Sequence, residues 1–204
     1  MNHQKSGGRT LLWSVVMSAP GPLIVGLGLM SGRSSTQLAD FVRRSAELLA
    51  IVMAFVSYRL TTRGVVTDAV KKEKLERISN LFVGAMMCVG GAIMLVLAIV
   101  SNHADKGNVI PGLCVAVLGV IANTIFWQKY SRLNRVEPNS ILAVQARLYR
   151  AKSLVDTCVT LALLAVVLVP GSLFSYYFDL LGSIVVAVYL VSCGGQTIRE
   201  RWKQ

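Results

Sequence analysis

Two clusters of ionisable residues stand where the surrounding sequence is almost wholly apolar. The first holds Asp40, Arg43, Arg44 and Glu47; the second holds Tyr149, Lys152, Ser153 and Asp156. Residues three and four apart share a face of a helix. On a helix, Asp40, Arg43, Arg44 and Glu47 therefore form one charged stripe. Asp40 is spaced to pair with Arg44, and Arg43 with Glu47. Lys152 and Asp156 have the same spacing, with Tyr149 and Ser153 on their face. Charges inside oily sequence are costly to bury, and they mark ion sites, solute sites or proton relays. They also serve as internal ion pairs that hold a bundle together. Spacing leaves both uses open.

The elements that must position them follow from composition. Of 204 residues, 54% are hydrophobic and 15% charged, and the mean hydropathy is +0.59. Soluble domains carry about a quarter charged residues. Disorder needs low hydrophobicity and is excluded. The 21 Lys and Arg outnumber the 10 Asp and Glu, for a formal charge of +11. A nucleic-acid binder would set such charge on a polar fold, so an oily basic chain reads as a membrane protein with no nucleic-acid partner.

A membrane helix needs about 20 mostly apolar residues. Six such stretches are predicted, over residues 11–30, 36–60, 78–101, 109–128, 141–169 and 174–196. The second and fifth carry the charged clusters, so a hydropathy scan is expected to miss them and report four. The loops argue for six. Fourteen basic residues fall on one side: Lys5 and Arg9, six from Arg59 at the end of span two to Arg77 before span three, Lys129, Arg132 and Arg135, and three after span six. The other side has Arg33 and Lys106. Short-loop Lys and Arg stay cytoplasmic, so both termini are expected inside. The fold class is thus an all-α membrane protein of six transmembrane helices. One domain covers 1–204, with no cytoplasmic C-terminal domain expected. Span one has no small-residue cleavage site after it, and Pro20 and Pro22 are expected to kink or break it.

Depth brings the clusters together. Glu47 and Asp156 each lie about a dozen residues below the outer ends of their spans, a similar level near the bilayer centre at a rise of about 1.5 Å per residue. The two stripes are expected to face each other across a polar cavity.

These residues carry a resemblance. Ser31 to Asp40 with Arg43 and Glu47, Lys71 to Arg77 leading to Gly84, Val115 to Gly119 with Asn123, Lys152 with Asp156, and Tyr177 to Ser183 with Tyr189 occur in an order that resembles the cation diffusion facilitators. The resemblance covers about residues 10 to 200 and implies a six-helix exporter of divalent cations, working by proton antiport as a homodimer. It implies four metal ligands, which fall here on Arg43, Glu47, Lys152 and Asp156. Arg has no acceptor and does not deprotonate, and zinc prefers Cys, His and carboxylate. Glu47 and Asp156 remain as the metal-ligand candidates. The ion site is therefore expected at Asp40, Arg43, Glu47, Lys152 and Asp156, supported by Arg44, Tyr149 and Ser153.

Three uses of the departure stay open. Arg43 and Lys152 act as built-in cations. Or they swing away, and a hard cation takes Glu47, Asp156, Asp40, Ser153 and waters, as Mg²⁺-like ions tolerate. Or Lys152 and Asp156 exchange a proton. A non-transporting relative and a proton-coupled carrier of a non-metal solute are the alternative functions. No resident cofactor is expected, and no enzyme: the chain has no HExxH. His3 and His103 read as surface residues, and Cys88, Cys114, Cys158 and Cys193 as small core residues. Trp13, Trp127, Trp202, Tyr58 and Tyr130 are expected in the aromatic belts. Gly84, Gly90 and Gly91 permit close helix packing. The expected location is the bacterial inner membrane, with the lipid bilayer as partner.

Overall fold

The structure, a computed structural model, describes residues 2–31, 35–62, 68–100, 110–168 and 173–202. Seven helices occupy them: α1 (Asn2–Ser18), α2 (Pro20–Ser31), α3 (Ser35–Thr62), α4 (Ala69–Val100), α5 (Ile110–Val136), α6 (Ser140–Leu168) and α7 (Leu173–Trp202). No strand occurs among the described residues. Helices α1 and α2 together fill the place of span one. The break falls at Ala19, directly before Pro20, whose missing N–H cannot continue the helix ladder. The chain still bends through one helical bond there, from the Ala19 N–H to the Val15 carbonyl at 2.9 Å.

Packing closes the helices into a ring. Going round it, α1 meets α3, α3 meets α4, α4 meets α7, α7 meets α6, α6 meets α5, and α5 returns to α1. Helices α3 and α6 also touch across the middle. Local caps fix two entries. Asp68 accepts the Val70 N–H at 3.0 Å and starts α4. Asn139 accepts the N–H groups of Ile141 and Leu142 at 3.0 and 3.3 Å and starts α6. Side-chain ties cross between helices at the basic end: Glu76 accepts the Ser140 hydroxyl at 2.6 Å, and Arg147 makes a two-pronged pair with Glu200 at 2.7 and 3.1 Å.

Helices α4 and α7 pack most closely. A Cβ on Gly194 would stand 2.6 Å from the Gly84 carbonyl, and one on Gly91 would stand 2.9 Å from the Ala187 carbonyl. The glycines of α4 thus serve contact inside the chain. Among the described residues, two helices are apolar enough by length and composition to cross a membrane, over Ala69–Val96 and Leu180–Glu200. The sequence suggested four. The proline break leaves α1 and α2 with 17 and 12 residues, each too short alone, and α5 is the other of the four that does not qualify over its described residues.

Two further expectations change. Tyr58 and Tyr130 are fully buried rather than belt residues, while Trp13 and Trp202 are exposed. Burial is tolerable for Tyr130 because its hydroxyl donates to Ser14 Oγ at 2.8 Å. The four cysteines are free, and Cys114 is exposed rather than in the core.

Candidate functional site

The charged residues of α3 and α6 do meet. Arg43 Nη1 donates to Glu47 Oε1 at 3.2 Å, one turn along α3. Lys152 Nζ crosses from α6 to the other oxygen, Glu47 Oε2, also at 3.2 Å. All three side chains are 14% exposed. Glu47 is therefore held between two cations. Paired in this way, all three charges tolerate a setting that would expel any one of them alone. The ammonium of Lys152 also lies 5.3 Å from the ring centre of Tyr149, a cation–π distance.

Asp156 is treated differently. The i,i+4 spacing suggested a pair with Lys152, but that lysine turns across the bundle to Glu47. Asp156 Oδ2 instead accepts from Asn123 Nδ2 on α5 at 2.6 Å. It lies so close to α5 that a Cβ on Gly119 would stand 2.5 Å from Oδ2. Among the described residues it has no ion pair within 4 Å. Asn123 was visible in the sequence as one amide in an apolar run, yet nothing there gave it the task of holding Asp156.

Arg43, Arg44, Glu47, Lys152 and Asp156 line one cavity of about 650 Å³, together with Asn123 and Gly119. Arg44 sits beside Gly21 of α2, whose Cβ would lie 3.6 Å from Nη1. Ser153 turns away from the charged cluster and bonds Thr124 of α5 at 2.7 Å. Tyr149 lies under the cluster, in tilted ring contact with Phe126 and Tyr130 at ring-centre distances of 5.1 and 5.4 Å. Its hydroxyl meets Ser18 Oγ at 3.4 Å. The side chain of Asp40, and the Asp179 region of the last span, lie outside the described side chains.

The cavity has a direction. On α6 it runs from Lys152 to Leu163, away from the basic end. Toward the basic end, Phe126, Tyr130 and Tyr149 form a packed aromatic layer with almost no exposure. The charged site therefore lies on the side of that aromatic layer away from the termini.

In donor terms, Glu47 and Asp156 are the two carboxylates on the cavity, with the amide oxygen of Asn123 beside them. No group of three or more His, Cys, Asp or Glu side chains gathers among the described residues. The set suits a hydrated, oxygen-preferring ion better than zinc.

No curated protein matches the chain. Residues 12–203 match the family described as the cation efflux transmembrane domain. That span takes in every element that builds the cavity, and members of the family are transporters. The chain thus belongs to the cation efflux, or cation diffusion facilitator, family: it is an integral membrane protein of the lipid bilayer and a cation transporter.

Proposed function

We propose that the chain exports a hydrated divalent cation in exchange for protons, with Glu47 and Asp156 as the cargo carboxylates and Lys152 as the group that answers the cargo. The observation that carries this reading is the cross-helix pair from Lys152 to Glu47 on the wall of the cavity that Asp156 shares. A cation arriving at Glu47 competes with the ammonium already there. With Arg43 already on Oε1, the cargo would add a third cation to one carboxylate, and in a poorly screened site it repels the ammonium it must displace from Oε2. If Lys152 releases its proton to cavity water, the site gains one net charge on loading instead of two. Cargo and that proton then exclude each other, which is the requirement for exchange.

Arg43 remains charged throughout, so it holds Glu47 Oε1 and limits the cargo to the other oxygen. Asn123 keeps Asp156 turned to the cavity. The aromatic layer packs between the site and the basic end, which supports a state closed on that side, one half of an alternating cycle. Arg44, Tyr149, Ser153 and Asp40 support the site. The reading includes a homodimer and the bacterial inner membrane, with the basic end cytoplasmic.

A second reading rests on the same two ion pairs. With both Glu47 oxygens engaged, the cations permanently replace a metal, and the chain acts as a partner subunit. Proteoliposomes loaded with a panel of divalent cations, with and without a pH gradient, separate the two. Cation flux that needs the gradient and vanishes in the Glu47→Ala, Asp156→Ala double variant supports exchange. Flux that is unchanged in that variant removes both carboxylates from the mechanism.

A further inference from the structure

A second cavity, of about 550 Å³, lies between α1 and α5 at the basic end. Three cations line it, Arg9 from α1 and Lys129 and Arg132 from α5. All three are exposed, and no carboxylate is among the lining residues. Among the described residues, none of the three makes an ion pair within 4 Å. Its deeper wall is aromatic. Trp13 stands four residues into the bundle from Arg9, and Phe126 three residues inward of Lys129, roughly 5 to 6 Å along each helix axis.

We infer that this cleft binds the headgroup of an anionic phospholipid, with the phosphate among Arg9, Lys129 and Arg132 and the upper acyl chain against Trp13 and Phe126. The two zones match the ligand. Cations sit at the rim, where the span predicted over residues 109–128 has just ended, and aromatic rings sit one turn deeper, at the level of the first methylenes. Basic pockets between membrane helices select anionic headgroups in this way. A zwitterionic lipid carries an ammonium that would meet three cations and no carboxylate. Charges that only set topology need to stay on their side of the bilayer, and need neither a cleft nor an aromatic wall. The separation from the transport cavity is also complete in composition, because the two share no lining residue.

The test uses the purified full chain and native mass spectrometry in mixed phosphatidylglycerol and phosphatidylcholine. The wild type is expected to retain one phosphatidylglycerol per chain in preference to phosphatidylcholine. Each cation near a headgroup is worth roughly fivefold in affinity, so Arg9→Gln and Arg132→Gln should each weaken the preference by about that factor. These single changes leave most of the topology-setting charge in place, and circular dichroism checks their folding. A control variant with Lys71→Gln, Lys72→Gln and Lys74→Gln, which lie outside the cleft, should keep the preference. Equal retention of both lipids, or equal loss in the control variant, overturns the proposal. Displacement of the lipid by inorganic phosphate at matched concentration also overturns it, because the acyl contact would then contribute nothing.

Discussion

Helices α4 and α7 and helices α3 and α6 are built on opposite terms. The first pair is apolar, holds both stretches able to cross a membrane on composition alone, and brings backbone to within a Cβ's reach of backbone at Gly84, Gly91 and Gly194. The second pair carries the ion-paired charges, fails that apolar criterion, and meets mainly through the reach of one lysine. A membrane bundle lacks a hydrophobic driving force between its helices, so close van der Waals contact must hold it. Here α4 and α7 supply that contact. The charged pair is then free to lie around a cavity, where a tightly packed pair would leave no room for cargo. On the proposed function, stability rests with one pair and transport with the other, and substitutions can test that division from either side.

The largest effect is expected at Lys152. Lys152→Met leaves Glu47 with Arg43 and strips one cation from a buried cluster. Breaking one partner of a buried pair costs about 3–5 kcal/mol, read as a lower melting temperature in detergent, and coupled transport should be lost. The double variant Lys152→Met, Glu47→Gln also takes the anion from beside Arg43, so it should recover neither the melting temperature nor the transport. If the single variant melts like the wild type, the pair is not holding α3 to α6 and the contrast fails.

Gly194→Val sits next. A side chain there meets the Gly84 carbonyl and the backbone nitrogen of Cys88, neither of which moves cheaply. Overpacking of this kind costs about 1–3 kcal/mol. The yield of folded protein should fall, while flux per folded molecule stays near wild type, measured in proteoliposomes normalised to folded protein. Loss of flux per molecule with full stability would put α4 and α7 into the transport cycle.

Much of this division was legible in the sequence. The alternation of basic loops gave the spans, and Glu47 with Asp156 at equal depth gave a shared cavity. The proline pair marked a break in the first span, which the structure sets at Ala19. The partners were not legible. Lys152 and Asp156 have ideal spacing for a pair within one helix, but spacing along a helix says nothing of what stands opposite. Asn123 and Glu47, both on other helices, decided the outcome. The burial of Tyr58 and Tyr130 escaped for the same reason: position near a span's end suggests the belt, while ring packing across α5 and α6 covers Tyr130 and the close approach of α1 at Gly7 and Gly8 covers Tyr58.

A smaller effect, confined to transport, is expected from Gly119→Ala. The new methyl would press on Asp156 Oδ2 and turn the carboxylate from Asn123. A charge-assisted hydrogen bond is worth about 1.5–3 kcal/mol, so cation flux should fall by roughly tenfold or more. The melting temperature should change less than the flux, because the methyl meets the end of one side chain and no backbone. A large drop in stability with normal flux would show Asp156 to be a structural group.

The smallest effect is expected where the two pairs join. Ser57 of α3, Ser79 and Asn80 of α4 and Gln145 of α6 are buried with side-chain polar atoms that have no hydrogen-bond partner. Their level follows from neighbours. The Glu76–Ser140 bond sets α4 and α6 in register, and Asn80 and Gln145 lie four and five residues further along, so about 6 to 8 Å inward on both helices. An orphaned buried amide costs about 1–3 kcal/mol. Gln145→Met keeps the volume and removes that cost, so the melting temperature should hold or rise slightly. A metal ion cannot be the missing partner of all these atoms, since the amide nitrogens of Asn80 and Gln145 are donors. Water serves donors and acceptors alike. If Gln145→Met instead lowers stability by a full hydrogen-bonded amide's worth, water occupies this layer. The boundary between the packed pair and the transporting pair is then wet on the cytoplasmic side of the aromatic layer, and the rings of Phe126, Tyr130 and Tyr149 are what separates that water from the cargo cavity.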